Sequence, residues 1–377
     1  MTYQENVRLL DSYLEWISNR DKLEGELLIK YYQVDFFLRH FPVGSRYGTP
    51  INFYRRALLN RNLAVYDLWN YKSLNEQNSI TIHNAPKVAP AGPKIYCAFH
   101  FGSYRTIGCV LFERGVSFSV VASSSIIKDN KEFLEPLRNF AASSGRENDF
   151  DIINVNENAA IMSMIRCLRQ GKSLLVYIDG TNGLGDFNIT EEKLLAVSFL
   201  NKQINSRQGV AFLSHRLGVP IIPVISWREY SFQHITVEFF DEIIPTQDKE
   251  MYIPMATQSL WDTFSSVFMK DPAQWECVFY SSAFIAPSAS NNLGQAHEID
   301  PLAYYSFNAT LYDFYTTNTD FFLYHFNSSK MIRIPLALYR LLSQIKTEGL
   351  SFTPSEFRQL LSEFTLRDLV EKQILTC

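Results

Sequence analysis

The chain has 377 residues, 46% of them hydrophobic, with 29 Phe and 20 Tyr, enough apolar material for a large core shared by two or three domains. A formal charge of −4 and a pI near 6.0 give no long-range pull toward nucleic acid or an anionic membrane. Five scattered cysteines, Cys97, Cys109, Cys167, Cys277 and Cys377, lack the short paired spacings of a zinc or redox motif, so the expectation is a reducing compartment, no metal and no bound cofactor. The polar opening MTYQENVRLLDSYLEWISNRDKLEGE speaks against a signal peptide or spanning helix there and for a cytoplasmic protein.

Residues 3–72 read as helical, because Val7, Leu10, Tyr13, Leu14 and Ile17 recur at helical spacing among charged neighbours. The Pro-rich stretch HNAPKVAPAGPK at 83–94 breaks this pattern and marks a boundary, giving an N-terminal helical segment over 1–83. From 84 to 283 short apolar runs alternate with helical stretches: KIYCAF then a helix from about 103, SFSVVA then one from about 130, IINV then ENAAIMSMIRCLRQ. After these come SLLVYI, a long loop, a helix near 207–217, and PIIPVIS. In the third helix Ile161, Met164, Ile165 and Leu168 share a face and Gly171 stands where a C-terminal cap belongs. Such alternation predicts an α/β domain with a mainly parallel sheet flanked by helices.

A Pro, Ser, Asn and Gly-rich stretch at 284–301 reads as a linker, and 302–377 has a different grammar. DFFLYHF, a turn at NSS and KMIRI suggest a hairpin. Helices follow at Leu338, Leu341, Leu342 and Ile345, at the capping box Thr353-Pro354-Ser355-Glu356, and from Thr365. This makes a small winged-helix-like α+β module.

Two residues stand where a parallel sheet presents its ligand crevice. His100 directly follows KIYCAF and precedes Phe101-Gly102-Ser103, and Asp179-Gly180 follows SLLVYI in the same relation. If the two strands are neighbours, a carboxylate there can orient the imidazole for general-base work. The plain alternatives are a turn-capping histidine and a turn aspartate. Ser103 reads as a helix N-cap rather than a nucleophile. Arg207, Gln208 and Gly209 open a helix whose free N–H groups suit a phosphate or pantetheine group, or simply water. His215 beside Arg216 reads as a surface residue.

HFGSYR at 100–105, LLVYIDG at 174–180, VSFLNKQINSRQGVAFLSHRLGVPIIPV at 197–224 and PAQW at 272–275 occur in an order that resembles the lysophospholipid acyltransferase superfamily, and most closely its lipid A late acyltransferase branch. The resemblance covers roughly residues 85–280. It implies an enzyme that moves a fatty acyl group from a carrier thioester, acyl-ACP or acyl-CoA, to an acceptor hydroxyl or amine, with His100 as general base. Lipid A enzymes usually carry an N-terminal membrane anchor, and the polar opening here turns the expectation to a soluble type with a soluble acceptor. It further implies an acyl pocket shaped by the Phe-Gly stretch, so that Gly102, Ser103, Arg105, Gly180 and Arg207 become candidate substrate-binding residues.

Family members carry an Asp or Glu five positions after the histidine, where this chain has Arg105. A guanidinium cannot orient an imidazolium, and its charge depresses the basicity of the histidine. Three readings follow. Another carboxylate serves His100, with Asp179 best placed and Glu113 or Glu229 less so; His100 works alone while Arg105 binds a substrate phosphate or carboxylate; or the fold is a noncatalytic binding or scaffold protein. The branch's arginine after the second strand has no clear match, with Arg138 and Arg146 as possible substitutes.

Residues 319–377 resemble the winged-helix peptide-recognition domains attached to peptide-modifying enzymes, which implies a ribosomal peptide as a possible acceptor held by strand addition. Seven Lys or Arg against seven Asp or Glu over 301–377 argue against DNA. A packing or dimerisation role is the rival.

Overall fold

Ile95, Tyr96, Cys97 and Ala98 are all fully buried, the burial pattern of a strand covered on both faces. The computed structural model describes residues 3–17, 23–41, 43, 45–84, 92–128, 133–145, 149–180, 194–229, 234–284, 299–317, 319–326 and 330–377. The helices are α1 (Tyr3–Leu14), α2 (Gly25–His40), α3 (Pro50–Trp69), α4 (Tyr71–Glu76), α5 (Ile107–Glu113), α6 (Ser124–Lys128), α7 (Leu134–Ser143), α8 (Ala160–Arg169), α9 (Gly209–Leu217), α10 (Lys249–Phe268), α11 (Leu336–Glu348), α12 (Pro354–Leu360) and α13 (Glu363–Glu371). The strands are β1 (Ile80–His83), β2 (Ile95–Ala98), β3 (Phe118–Ala122), β4 (Phe150–Asn154), β5 (Ser173–Tyr177), β6 (Leu194–Phe199), β7 (Lys202–Arg207), β8 (Ile221–Arg228) and β9 (Ile235–Phe239), then β10 (Tyr305–Phe307), β11 (Tyr312–Thr316), β12 (Phe321–His325), β13 (Lys330–Ile334), β14 (Ser351–Phe352) and β15 (Leu375–Thr376).

The chain divides into two compact units, one of Met1–Ser18 with Phe41–Ile285 and one of Asn19–His40 with Ala286–Cys377. In the first, seven strands form a sheet in the order β1-β9-β8-β2-β5-β3-β4. Strands β8, β2, β5, β3 and β4 run parallel, β9 returns antiparallel to β8, and β1 lies parallel to β9. The mainly parallel, helix-flanked sheet expected from the alternating runs is the fold observed.

Alternation along β2 divides the core. Tyr96 and Ala98 join the cluster formed with Leu111 of α5, Leu134 and Leu137 of α7, Val120 and Leu175. The following Phe99 instead stacks on Phe264 of α10, ring centroids 4.1 Å apart, and meets Trp261 edge-on. Both faces are therefore covered by helices, and the edge of the sheet where β2 and β5 end is left to hold the polar groups.

Several elements differ from the sequence reading. The helix after His100 begins at Ile107, preceded by a single 3-10 turn over Tyr104–Thr106. Strands β6 and β7 form a hairpin in the stretch read as loop, with Leu200 and Asn201 both at positive φ in its two-residue turn. In α8, Met164, Ile165 and Leu168 are buried as expected but Ile161 is 57% exposed.

The second unit gathers α2 with the C-terminal residues, whereas the sequence boundaries grouped α2 with 1–83. Periodicity shows that a helix has an apolar face but not what covers it. Here Tyr32 stacks on Tyr324 at 4.6 Å and its hydroxyl donates to Phe314 O at 3.0 Å. The expected hairpin is β12–β13, widened by β11 into a three-stranded antiparallel sheet, and β10 pairs with both β14 and β15. Leu323, Leu342, Phe357 and Leu366 close its core. The third helix starts earlier than Thr365, because Ser362 caps it by accepting from Thr365 N at 3.1 Å. The Pro-rich 85–91, the loop 181–193, the linker 285–298 and the turn 327–329 lie outside the described residues. No helix among the described residues is long and apolar enough to cross a membrane.

The capping box is formed: Thr353 Oγ1 accepts from Glu356 N at 3.4 Å and Glu356 Oε2 accepts from Thr353 N at 2.7 Å. Replacing Thr353 with Ala is expected to destabilise the second unit by about 1 kcal/mol, read as a lower denaturant midpoint; an unchanged midpoint would show the cap to be idle.

Candidate active site

Strands β2 and β5 are paired in register, Ala98 opposite Tyr177, and Ile178 N donates to Ala98 O at 3.1 Å. The two segments that follow must leave the sheet side by side. His100 and Asp179, 79 positions apart in sequence, consequently meet: His100 Nδ1 donates to Asp179 Oδ1 at 2.8 Å, and the His100 backbone N–H reaches both carboxylate oxygens at 2.9 and 3.1 Å. With Nδ1 engaged by an acceptor-only carboxylate, Nε2 is the ring nitrogen left to act as a base.

Asp179 is fully buried and tightly held. Trp275 Nε1 donates to its Oδ2 at 2.8 Å, and the Cys277 thiol donates to the same oxygen at 3.5 Å and to the backbone O at 3.3 Å. His100, Asp179 and Cys277 are the three residues among those described whose donor atoms converge closely enough for a metal. The carboxylate oxygens are already occupied by N–H and S–H donors, which fits an orienting acid better than a metal ligand.

The turn carrying His100 is clamped from several sides. Gly102 N donates to Gln274 O at 3.0 Å, Arg228 NH2 donates to Gly102 O at 3.1 Å, and Glu276 N donates to His100 O at 2.8 Å. The fully buried Arg228 is neutralised by Asp67 of α3, to which its Nε donates at 2.6 Å, and it also reaches Asn60 Oδ1 at 3.3 Å. Gly102 has φ +61, and a Cβ there would fall 2.4 Å from Ser226 O and 2.5 Å from Trp227 Cα. No other residue fits that backbone without moving it.

A cleft of about 470 Å³ opens in front of this turn. His100, Tyr104, Arg105, Asp179, Gly180, Arg207 and Glu276 bring its polar groups, while Ala122, Ile126, Phe133, Met164, Phe212 and Leu213 supply apolar wall. Of the sequence candidates, His100, Arg105, Asp179, Gly180 and Arg207 meet here. Gly180 leaves room for the base, since a Cβ on it would sit 3.6 Å from His100 Cε1. Gly102 and Ser103 are not among the cleft-lining residues. Gly102 is packed against β8, and Ser103, fully buried, makes no capping bond because its backbone lies outside the extended region a cap requires. Glu113 is engaged by Tyr71 and Asn75. Glu229 and the exposed Arg138 are likewise not among the cleft-lining residues, and Arg146 lies outside the described residues. His215, on α9, approaches Gln247 O at 3.3 Å.

Sequence reasoning missed Glu276. Tyr104 OH donates to its Oε2 at 2.7 Å and Arg61 Nε to its Oε1 at 3.4 Å. Burial would raise the Glu276 carboxyl, but the charges of Arg105, Arg61 and His100 together bring it below its ordinary value. For His100, burial pulls the pKa down. The charge and hydrogen bond of Asp179, aided by Glu276, outweigh burial and the opposing charge of Arg105, so the imidazole is raised above its ordinary value of 6.5. The depression expected from Arg105 is thus real but overcome. Only position next to the PAQW string could have pointed to Glu276.

The family model described as bacterial lipid A biosynthesis acyltransferase matches residues 96–278, a span that holds His100, Asp179, Trp275 and Glu276. No curated protein matches the chain. Among solved structures, the 1-acyl-sn-glycerophosphate (LPA) acyltransferase PlsC from Thermotoga maritima aligns at 12% identity and a TM-score of 0.32, over 64% of this chain and 96% of that one.

Titration of the His100 ring followed by NMR is expected to give a pKa above 6.5. Asp179→Asn is expected to shift it downward, because the variant removes the larger raising charge and leaves only Glu276 against burial and Arg105. A titration that ignores the substitution would disprove the coupling. Gly102→Ala is expected to cost about 3 kcal/mol or more in unfolding free energy.

Over residues 96–278, just under half of the chain, the protein is similar to the bacterial lipid A biosynthesis acyltransferases.

Proposed function

We propose that the first unit is a working acyltransferase, moving a fatty acyl group from a carrier thioester, acyl-ACP or acyl-CoA, to an acceptor amine or hydroxyl, with His100 as general base and Asp179 as the residue that orients it. The observation that carries this reading is the 2.8 Å contact between His100 Nδ1 and Asp179 Oδ1 at the floor of the cleft. The family's acid belongs five residues after the histidine, on the same turn. In this reading the acid comes from the neighbouring strand's end instead, and Arg105 has a different role. The noncatalytic alternative rested on the missing acid, and that ground is weakened by a buried carboxylate on the ring.

In the proposed reaction Nε2 of His100 takes the proton of the acceptor as it attacks the thioester carbonyl, and the imidazolium then protonates the departing thiolate. The acyl chain lies along the apolar wall of Phe133, Met164 and Leu213. Gly180 and Arg207 flank the carrier side, where the N-terminus of α9 meets the cleft. A ribosomal peptide remains the macromolecular acceptor to consider for the second unit. Strand β13 there is an edge of its sheet, bonded to β12 on one side and to no other strand among the described residues, the arrangement that strand addition uses.

The test is thiol release from long-chain acyl-CoA and acyl-ACP, with the acylated product identified by mass spectrometry. His100→Ala is expected to lower kcat/KM by about a hundredfold or more and Asp179→Asn by about tenfold or more. Full activity in folded His100→Ala would refute the assignment.

A further inference from the structure

The charged groups that line the cleft include Arg105 and Arg207 on one side of the balance and Asp179 and Glu276 on the other. With His100 neutral, as a base must be, two cations face two anions and the described wall offers no surplus positive charge. An acceptor that presents only a phosphate would gain from a guanidinium and be opposed by the carboxylates, and one that presents only an ammonium would meet the converse. A molecule carrying both charges matches the wall.

The placement of the two inner charges sharpens this. Arg105 is nearly buried, its guanidinium carbon 5.1 Å from the Tyr104 ring centre and 5.7 Å from that of Phe133. Its charge acts on Glu276 and on His100. Glu276 is bonded through its own N–H to the carbonyl of His100, and among the described residues its carboxylate oxygens accept from Tyr104 at Oε2 and Arg61 at Oε1. Each such oxygen can accept a further hydrogen bond. A carboxylate beside the base and a guanidinium on the same turn as the base thus face one cleft.

We infer that the acceptor is a small zwitterionic amine of amino-acid type, its carboxylate taken by Arg105 and its ammonium held by Glu276 beside His100. This rests on the acyl-transfer reading above and names its substrate class. His100 Nε2 removes one proton from the ammonium, and the neutral amine attacks the thioester carbonyl. The C–N bond forms as the C–S bond breaks. Of the two protons lost by the nitrogen, one ends on the carrier thiolate and one in solvent, leaving an N-acyl amide and a free thiol. Arg105, the departure from the family pattern, becomes the residue that reads the acceptor.

The experiment uses the full chain, a long-chain acyl-CoA, and a set of acceptors: hydroxylamine, glycine, β-alanine, γ-aminobutyrate, glycinamide, glycerol 3-phosphate and a short peptide with a free amine and an amidated end. Thiol release and product mass are measured. At least one of the three amino acids is expected to exceed glycinamide, the phosphate and the amidated peptide by about tenfold or more in kcat/KM. Arg105→Gln is expected to remove the advantage over glycinamide, read as the ratio of the two kcat/KM values within the same variant. Equal or better use of glycinamide, the peptide or glycerol 3-phosphate by the wild type would overturn the inference without any variant. Absence of thiol release even with hydroxylamine would sink the acyl-transfer reading itself.

Discussion

One buried carboxylate organises the first unit. Asp179 has no exposure to solvent, and it is gripped by the ring and backbone of His100, the indole of Trp275 and the thiol of Cys277. A charge in that position is tolerated only when its lone pairs are filled. The segments that fill them come from the end of β2 and from the turn after α10, so satisfying Asp179 draws together stretches far apart in sequence. His100, Asp179 and the second carboxylate at Glu276 are brought together by that convergence.

The layer beneath is built to hold the turn still. Arg228 at the end of β8 and Gln274 grip the Gly102 peptide from its two sides, and Asp67 and Asn60 of α3 fix the guanidinium in turn. A buried ion pair contributes little net stability by itself. Its value here is geometric, because it sets the carbonyl of the residue two positions after the base and leaves His100 little freedom except at Nε2.

Much of this was legible in the sequence. The apolar runs KIYCAF and SLLVYI announced buried strands, and the polar residue ending each lay where an α/β crevice forms; neither run stated that β2 and β5 are neighbours, which is a fact of topology. The missing acid after His100 was visible, and so was Asp179 as the carboxylate best placed to reach the ring, which it does. Glu276 was not, because nothing local marks a glutamate that acts across the chain on Arg105 and His100. The failure at Ser103 has the same origin, since a serine before a helix looks like a cap until a 3-10 turn intervenes. The hairpin β6–β7 carries no Asn-Gly signal, and its turn is made by Leu200 and Asn201 in a conformation that Leu seldom adopts.

A dyad whose members sit five residues apart belongs to a single turn of chain and survives wherever that turn folds. Here the partners follow separate strands, held side by side by the parallel pairing of Ile95, Tyr96, Cys97 and Ala98 with Leu174, Leu175, Val176 and Tyr177. The contact between His100 and Asp179 is therefore a property of the sheet as a whole. A slip or opening between those two strands would leave every side chain present and the imidazole without its anchor, so loss of that contact is tied to the centre of the fold and not to its surface loops.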